Sequence, residues 1–164
     1  MVDSLKTPTP SVTIREAVPL IDEELIQGLR ASVGWSTVET GLASMAAGRS
    51  IVYVLDLDRE PAASGALVLR ADDPDLADGA STALISNLIV DPRFQGHGLG
   101  TRLLEHLESE ALSRGFSQMS IGVDAPNVRA RSLYERHGYH PLKNKREAWG
   151  EVVYLAKRLD SDPR

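Results

Sequence analysis

Gln95-Gly96-His97-Gly98-Leu99-Gly100-Thr101 is the stretch that decides how this chain reads. An apolar, β-branched run over residues 84–90 precedes it, and a helical pattern over residues 99–114 follows it. The stretch is therefore a strand-to-helix turn. Three glycines at alternate positions strip it of side chains and leave its backbone N–H groups bare. At a helix N-terminus such groups point outward, and the helix dipole adds to their field, so the turn suits a phosphate or diphosphate.

Two familiar phosphate turns do not fit. A P-loop needs a Lys after its last glycine, and none lies here. A dinucleotide fingerprint G-x-G-x-x-G, begun at Gly96 or Gly98, puts its third glycine on Thr101 or Leu103. Asp124, after the next strand, stands where a ribose-binding acid would be. It keeps an NAD(P)-binding oxidoreductase open as a competing reading.

Composition bounds the rest. The 164 residues suffice for one domain with a core, and at 42% hydrophobic content the body is expected to fold. The absence of cysteine excludes disulfides, thiolate metal sites and a cysteine nucleophile. The four histidines show no ligand spacing, so no metal is expected. A net charge of −5 argues against non-specific nucleic-acid binding and favours a cationic substrate. No run is apolar over a bilayer's width and no signal pattern opens the chain, so a cytoplasmic protein without membrane contact is expected.

Working outward from the turn, residues 1–11 read as a tail, 12–159 as a single domain and 160–164 as a second tail. Strands are predicted over 12–15, 51–57, 63–70, 82–90, 117–123, 139–143 and 152–159. Helices are predicted over 20–30, 38–47 and 99–114, with a further one capped by Asp124 or Asn127 and ended by Gly138. Leu99, Leu103, Leu107 and Ala111 give the third helix its stripe, widened by Leu104. Ala130, Leu133, Tyr134 and His137 form the apolar face of the last. The order is βααβββαβαββ, an α/β fold with a mixed sheet.

Gln95-x-x-Gly98-x-Gly100 resembles the Q/R-x-x-G-x-G/A signature of the GCN5-related N-acetyltransferases, which cradle the pyrophosphate of coenzyme A. Asn127-x-x-Ala130-x-x-Leu133-Tyr134-x-x-x-Gly138-Tyr139 resembles that family's later motif at the expected distance. The resemblance is specific from about residue 84 to residue 139. It implies the acyl-CoA N-acyltransferase fold, a mostly antiparallel central sheet flanked by helices. It also implies acetyl-CoA as co-substrate, a primary amine as acceptor, and a homodimer paired through the hairpin over residues 139–159.

Transfer from a thioester to an amine needs a held thioester, a neutral amine and a proton for the leaving thiolate. The resemblance gives the coenzyme Gln95, Gly96, His97, Gly98, Leu99, Gly100 and Thr101 for its pyrophosphate. It gives Leu88, Ile89 and Val90 for the pantetheine arm, and Asn127 and Arg131 for further contacts. Arg93, Arg102 and Arg129 are other cations near the coenzyme tail. Tyr134 is the expected general acid, and a core tyrosine is its plainer alternative.

The base is less legible. Where many family members carry Glu in the central strand, this chain has Ser86, beside Asn87. Neither is basic at neutral pH, although either can order a relaying water. Asp124 is the substitute, with Glu39 and Glu151 behind it. Trp35 and Trp149 are candidates to line the acceptor pocket, and nothing in the sequence names the acceptor. The missing Glu also fits an acyl-CoA sensor without catalysis, against which the retained Tyr134 argues.

Overall fold

The computed structural model describes residues 9–32 and 47–160. In chain order they form β1 (Val12–Glu16), α1 (Pro19–Ser32), β2 (Ser50–Leu57), β3 (Glu60–Val68), β4 (Thr82–Val90), α2 (Leu99–Ser113), β5 (Gln118–Asp124), α3 (Val128–Arg136), β6 (His140–Glu147) and β7 (Gly150–Arg158). A 3₁₀ turn, Pro92–Phe94, bridges β4 and the glycine stretch. The helix predicted over 38–47 falls, but for its last residue, outside the described residues, as do Trp35 and Glu39.

The seven described strands make one sheet in the order β1-β2-β3-β4-β5-β7-β6. Only β4 and β5 run parallel; every other neighbouring pair is antiparallel. Helix α2 supplies the parallel crossover and lies on one face of the sheet. There Leu99, Leu103, Leu104, Leu107 and Ala111 pack with Ile85, Ile121 and Tyr134 in the main core. On the other face Ile26 of α1 packs on Val52, Val54 and Ala66. Asp22 of α1 is buried there, accepting from the Val18 N–H at 2.7 Å and pairing with Arg15 at 2.8 Å.

Two differences from the sequence reading have physical causes. Strand β3 begins at Glu60 rather than 63, because Asp58 and Arg59, both at positive φ, complete the hairpin turn in two residues without glycine. Strand β6 runs to Glu147, well past 143. Its alternation is carried by charges, with Lys143, Lys145 and Glu147 half-buried and their neighbours exposed, which hydrophobic patterning does not register. Gly115 and Gly138 end α2 and α3 at positive φ, as predicted.

Candidate active site

The site is created where β4 and β5 part. Their parallel register runs from Thr82 opposite Gln118 to Ile85 opposite Ile121 and stops. Beyond that point β4 stays with β3 as far as Val90 opposite Ala63, and β5 stays with β7 as far as Asp124 opposite Val152. The central sheet therefore opens into a wedge. A cleft of about 800 Å³ occupies it, lined by Ser86, Leu88, Gly122, Asp124, Tyr134 and Tyr154 among others.

A bulge steers β4 away. Asn87 takes φ 54°, a left-handed conformation that Asn tolerates, and the β3 register slips between Ser64 and Ala66. The extra residue changes which face each later side chain meets. Leu88 lies over Gly65, where a Cβ would come 3.1 Å from its Cδ1, and Val90 Cγ2 lies against Gly100. The Asn87 side chain accepts from Arg30 Nη1 of α1 at 2.7 Å. The Asp91 N–H bonds Ala62 O of β3 at 2.8 Å. Backbone polar groups alternate sides along a strand, so Ile89 faces β3, and Leu88 and Val90 turn theirs toward the wedge. Val90 O there accepts from Gln95 Nε2 at 3.2 Å.

The glycine turn sits at the mouth of the wedge. Gly96 and Gly98 take φ 86° and 76°, and a Cβ on either would meet nothing within 4 Å. The Phe94 N–H bonds Asp91 O, and the Arg102 N–H bonds Gly98 O. The N–H groups of Leu99, Gly100 and Thr101, in the first turn of α2, have no carbonyl of their own helix to reach. The turn is thus an open row of donors at the N-terminus of a 15-residue helix, with Gly98 as its cap residue. Leu99 drops its side chain into the core, Thr101 is half-buried, and the His97 ring rests 3.0 Å from Phe94 O.

At the other end, Tyr134 of α3 is 9% exposed and lines the cleft. Its ring packs edge-on against Tyr139, and its hydroxyl makes no hydrogen bond among the described residues. Burial pushes the phenol up to about 12, so it holds its proton at neutral pH. Asn127 caps α3, accepting from the Ala130 N–H at 3.1 Å, and its side chain borders the cleft. Asp124 is therefore not the cap; its Oδ1 accepts from Trp149 Nε1 at 3.1 Å. Arg131 is engaged with Glu135 at 2.8 Å, and Arg93 with Asp91 and Glu60. Glu151 pairs with Arg146 on the surface, outside the cleft.

The structure thus brings Ser86, Asp124, Tyr134, Asn127 and Trp149 around one cleft, with the glycine turn at its edge. Sequence reasoning missed the Asn87 bulge, its link to Arg30, and Tyr154, whose ring covers Gly122 and whose hydroxyl donates to Glu147 Oε1 at 2.9 Å. Asn87 as the αL-tolerant residue inside a strand was the one available signal. Tyr154 looked like any residue of an amphipathic strand. Among the described residues, no group of His, Asp and Glu is placed to hold a metal, and no helix is long and apolar enough to cross a membrane.

A parallel pair that parts at mid-strand, with a bare amide turn at the opening, defines an acyl-CoA N-acyltransferase fold. The model of the acetyltransferase (GNAT) family matches residues 22–139, and the chain belongs to that family. A [ribosomal protein bS18]-alanine N-acetyltransferase of Escherichia coli K12 is 39% identical over 74 residues, 40% of this chain and 50% of that one. A mycothiol acetyltransferase of Beutenbergia cavernae is 32% identical over 93 residues, 57% of this chain and 29% of that one. The chain matches half or less of the length of these relatives. The crystal structure of the Escherichia coli ribosomal-protein-S18-alanine N-acetyltransferase superposes with a TM-score of 0.75 at 24% identity, covering 94% of this chain and 97% of that one. A GNAT-family acetyltransferase of Elizabethkingia anophelis, solved with acetyl-CoA bound, gives a TM-score of 0.70 at 16% identity over 90% and 98%.

Proposed function

We propose that this protein moves an acetyl group from acetyl-CoA directly to a primary amine. The carrying observation is the wedge between β4 and β5, with the bare amides of the α2 N-terminus at its mouth and Tyr134, whose hydroxyl has no partner among the described residues, lining it. The residues present fit the co-substrate. The turn's donors suit a pyrophosphate, and the open space beside Gly96 and Gly98 lets that anion approach the backbone. The backbone groups of Leu88 and Val90 suit the amides of the pantetheine arm, which lies there as a surrogate strand. Acetyl-CoA supplies the activated thioester. The chain's own part is to hold it still against the amine and to manage two protons. Tyr134 keeps its proton at neutral pH and gives it from Oη to the leaving thiolate.

The acceptor approaches from the face bearing Arg30, Asp124 and Trp149. A peptide with N-terminal alanine, the acceptor in the name of the bS18 relative, is the first to try, beside small primary amines and amino acids. Pairing through the exposed edge strand β6 makes a homodimer of this protein. Light scattering then gives about twice the chain mass of 17.8 kDa, and a mass of one chain at micromolar concentration contradicts it. A thiol-release assay with an amine panel tests the activity. Saturable release with at least one amine is expected. Tight acetyl-CoA binding without release from any amine instead favours an acyl-CoA sensor.

A further inference from the structure

The cleft has a second tyrosine, on the face of the sheet opposite Tyr134, and this one is bonded to a carboxylate. Tyr154 of β7 is 7% exposed and packs with Leu76 and Val152, apart from the main core that holds Tyr134. Its ring lies over Gly122, the first residue of β5 beyond the last β4 pairing, where a Cβ would come 2.8 Å from Tyr154 Cε1. Tyr154 therefore stands where the strands begin to part. Its hydroxyl donates to Glu147 Oε1 at 2.9 Å. Glu147 is half-buried at the end of β6 and does not itself border the cleft.

We infer that Tyr154 and Glu147 form the proton-accepting relay that replaces the missing carboxylate of β4, Tyr154 touching the acceptor amine and Glu147 taking the proton. This rests on the proposed acetyl transfer. As the amine nitrogen bonds to the acetyl carbon, its N–H proton passes to Tyr154 Oη. The phenol proton passes in the same shift to Glu147 Oε1. Tyr154 ends as it began, Glu147 ends protonated, and the thiolate takes its proton separately from Tyr134 on the other side. Acid and base thus flank the wedge from opposite faces and do not compete for one site.

The surroundings suit this role. Burial, then Glu147, with Asp73 and Asp124 further off, hold the Tyr154 phenol neutral, so it transmits protons without resting as a phenolate. Lys145 Nζ stands 4.0 Å from Glu147 and bonds Asp73 at 3.0 Å, and Lys143 also holds Asp73. Asp124 is engaged by Trp149, and Glu151 by Arg146. Of these carboxylates, Glu147 is the one that accepts from the Tyr154 hydroxyl.

The test is the pH profile of kcat/KM for thiol release with the best amine, beside acetyl-CoA titration as a check on the fold. Glu147→Gln is expected to lower the rate about 10²-fold, the usual scale for a positioned base, and to abolish the acid-side limb with acetyl-CoA affinity kept. Tyr154→Phe gives the same loss. Glu147→Ala is partly rescued by added formate, whereas Tyr154→Phe is not. If Glu147→Gln fails to fold, Glu147→Asp decides: an intermediate rate with the limb retained supports the relay. Wild-type rate and profile in Glu147→Gln, in Glu147→Ala or in Tyr154→Phe overturns it while leaving the proposed activity standing. A wild-type protein that releases no thiol with any amine overturns both.

Discussion

Tyr134 and Tyr139 are neighbours in space, but their hydroxyls have different surroundings. The Tyr139 hydroxyl is committed, donating to Glu108 at 2.7 Å, while that of Tyr134, a residue lining the cleft, makes no hydrogen bond among the described residues. Tyr134→Phe keeps the edge-on ring contact and removes only the proton. Thermal stability and acetyl-CoA affinity should hold, while the transfer rate falls on the order of 10²-fold, about 2.7 kcal/mol of barrier. Single-turnover rates check this, and an unchanged chemical step returns Tyr134 to the core. Tyr139→Phe should do the reverse, with a loss of about 1 kcal/mol of stability and a normal chemical step. Gly98 is held at φ 76°, so Gly98→Asp separates charge from strain: Asp tolerates that conformation and sets an anion among the bare amides. It should weaken acetyl-CoA binding at least tenfold, with Gly98→Asn between it and wild type. These residues could be named as candidates because motif and local chemistry coincide. Asn127 was legible as a cap, and is one. Tyr154 and Glu147 were not, since their meeting depends on the β6–β7 register and on Gly122 leaving room for the ring.

At the scale of elements, the bulge in β4 decides whether the wedge exists. Asn87→Gly keeps the left-handed backbone and loses only the Arg30 contact, so the cleft should persist with little change in coenzyme affinity. Asn87→Val forces a β-branched residue into φ 54°, at about 1–2 kcal/mol, and favours a regular strand that closes on β5. Chemical denaturation and acetyl-CoA titration on both variants should show Asn87→Val alone impaired in both. Gly65 backs the same bend. A side chain there meets Leu88, Leu107 and Leu103 at 3.1–3.4 Å, so Gly65→Val should overpack the α2 face by about 1–3 kcal/mol. Most described elements were legible in the sequence because each buries one apolar face against α1, α2 or α3. The length of β6 was not, because its inward residues are charges satisfied by Asp73 and by Tyr154. The bulge was not, because a single αL residue leaves no periodic trace.

For the whole molecule, the loop after β3 is latched to β6 by Asp73, which takes Lys143 at 2.9 Å and Lys145 at 3.0 Å. Those lysines hold its carboxyl down at about 2, below its ordinary 3.8. Because the folded value is the lower one, the latch contributes fully above about pH 4 and is lost as the pH falls toward 2. Asp73→Asn should therefore be less stable than wild type at neutral pH, with the gap narrowing through that window in urea melts. A gap that stays constant with pH contradicts the assignment. The latch also fixes the hairpin carrying Glu147, so loop, hairpin and wedge are one construction around the cleft. What joins sequence, fold and proposed chemistry is the claim that the glycine turn holds acetyl-CoA across the parted strands. Calorimetric titration of acetyl-CoA into wild type and Gly98→Asp tests that claim most directly, since it needs no knowledge of the acceptor. Saturable one-to-one binding to wild type, weakened at least tenfold in a folded Gly98→Asp, is the expected result. No binding to wild type, or equal affinity in the two proteins, would contradict it.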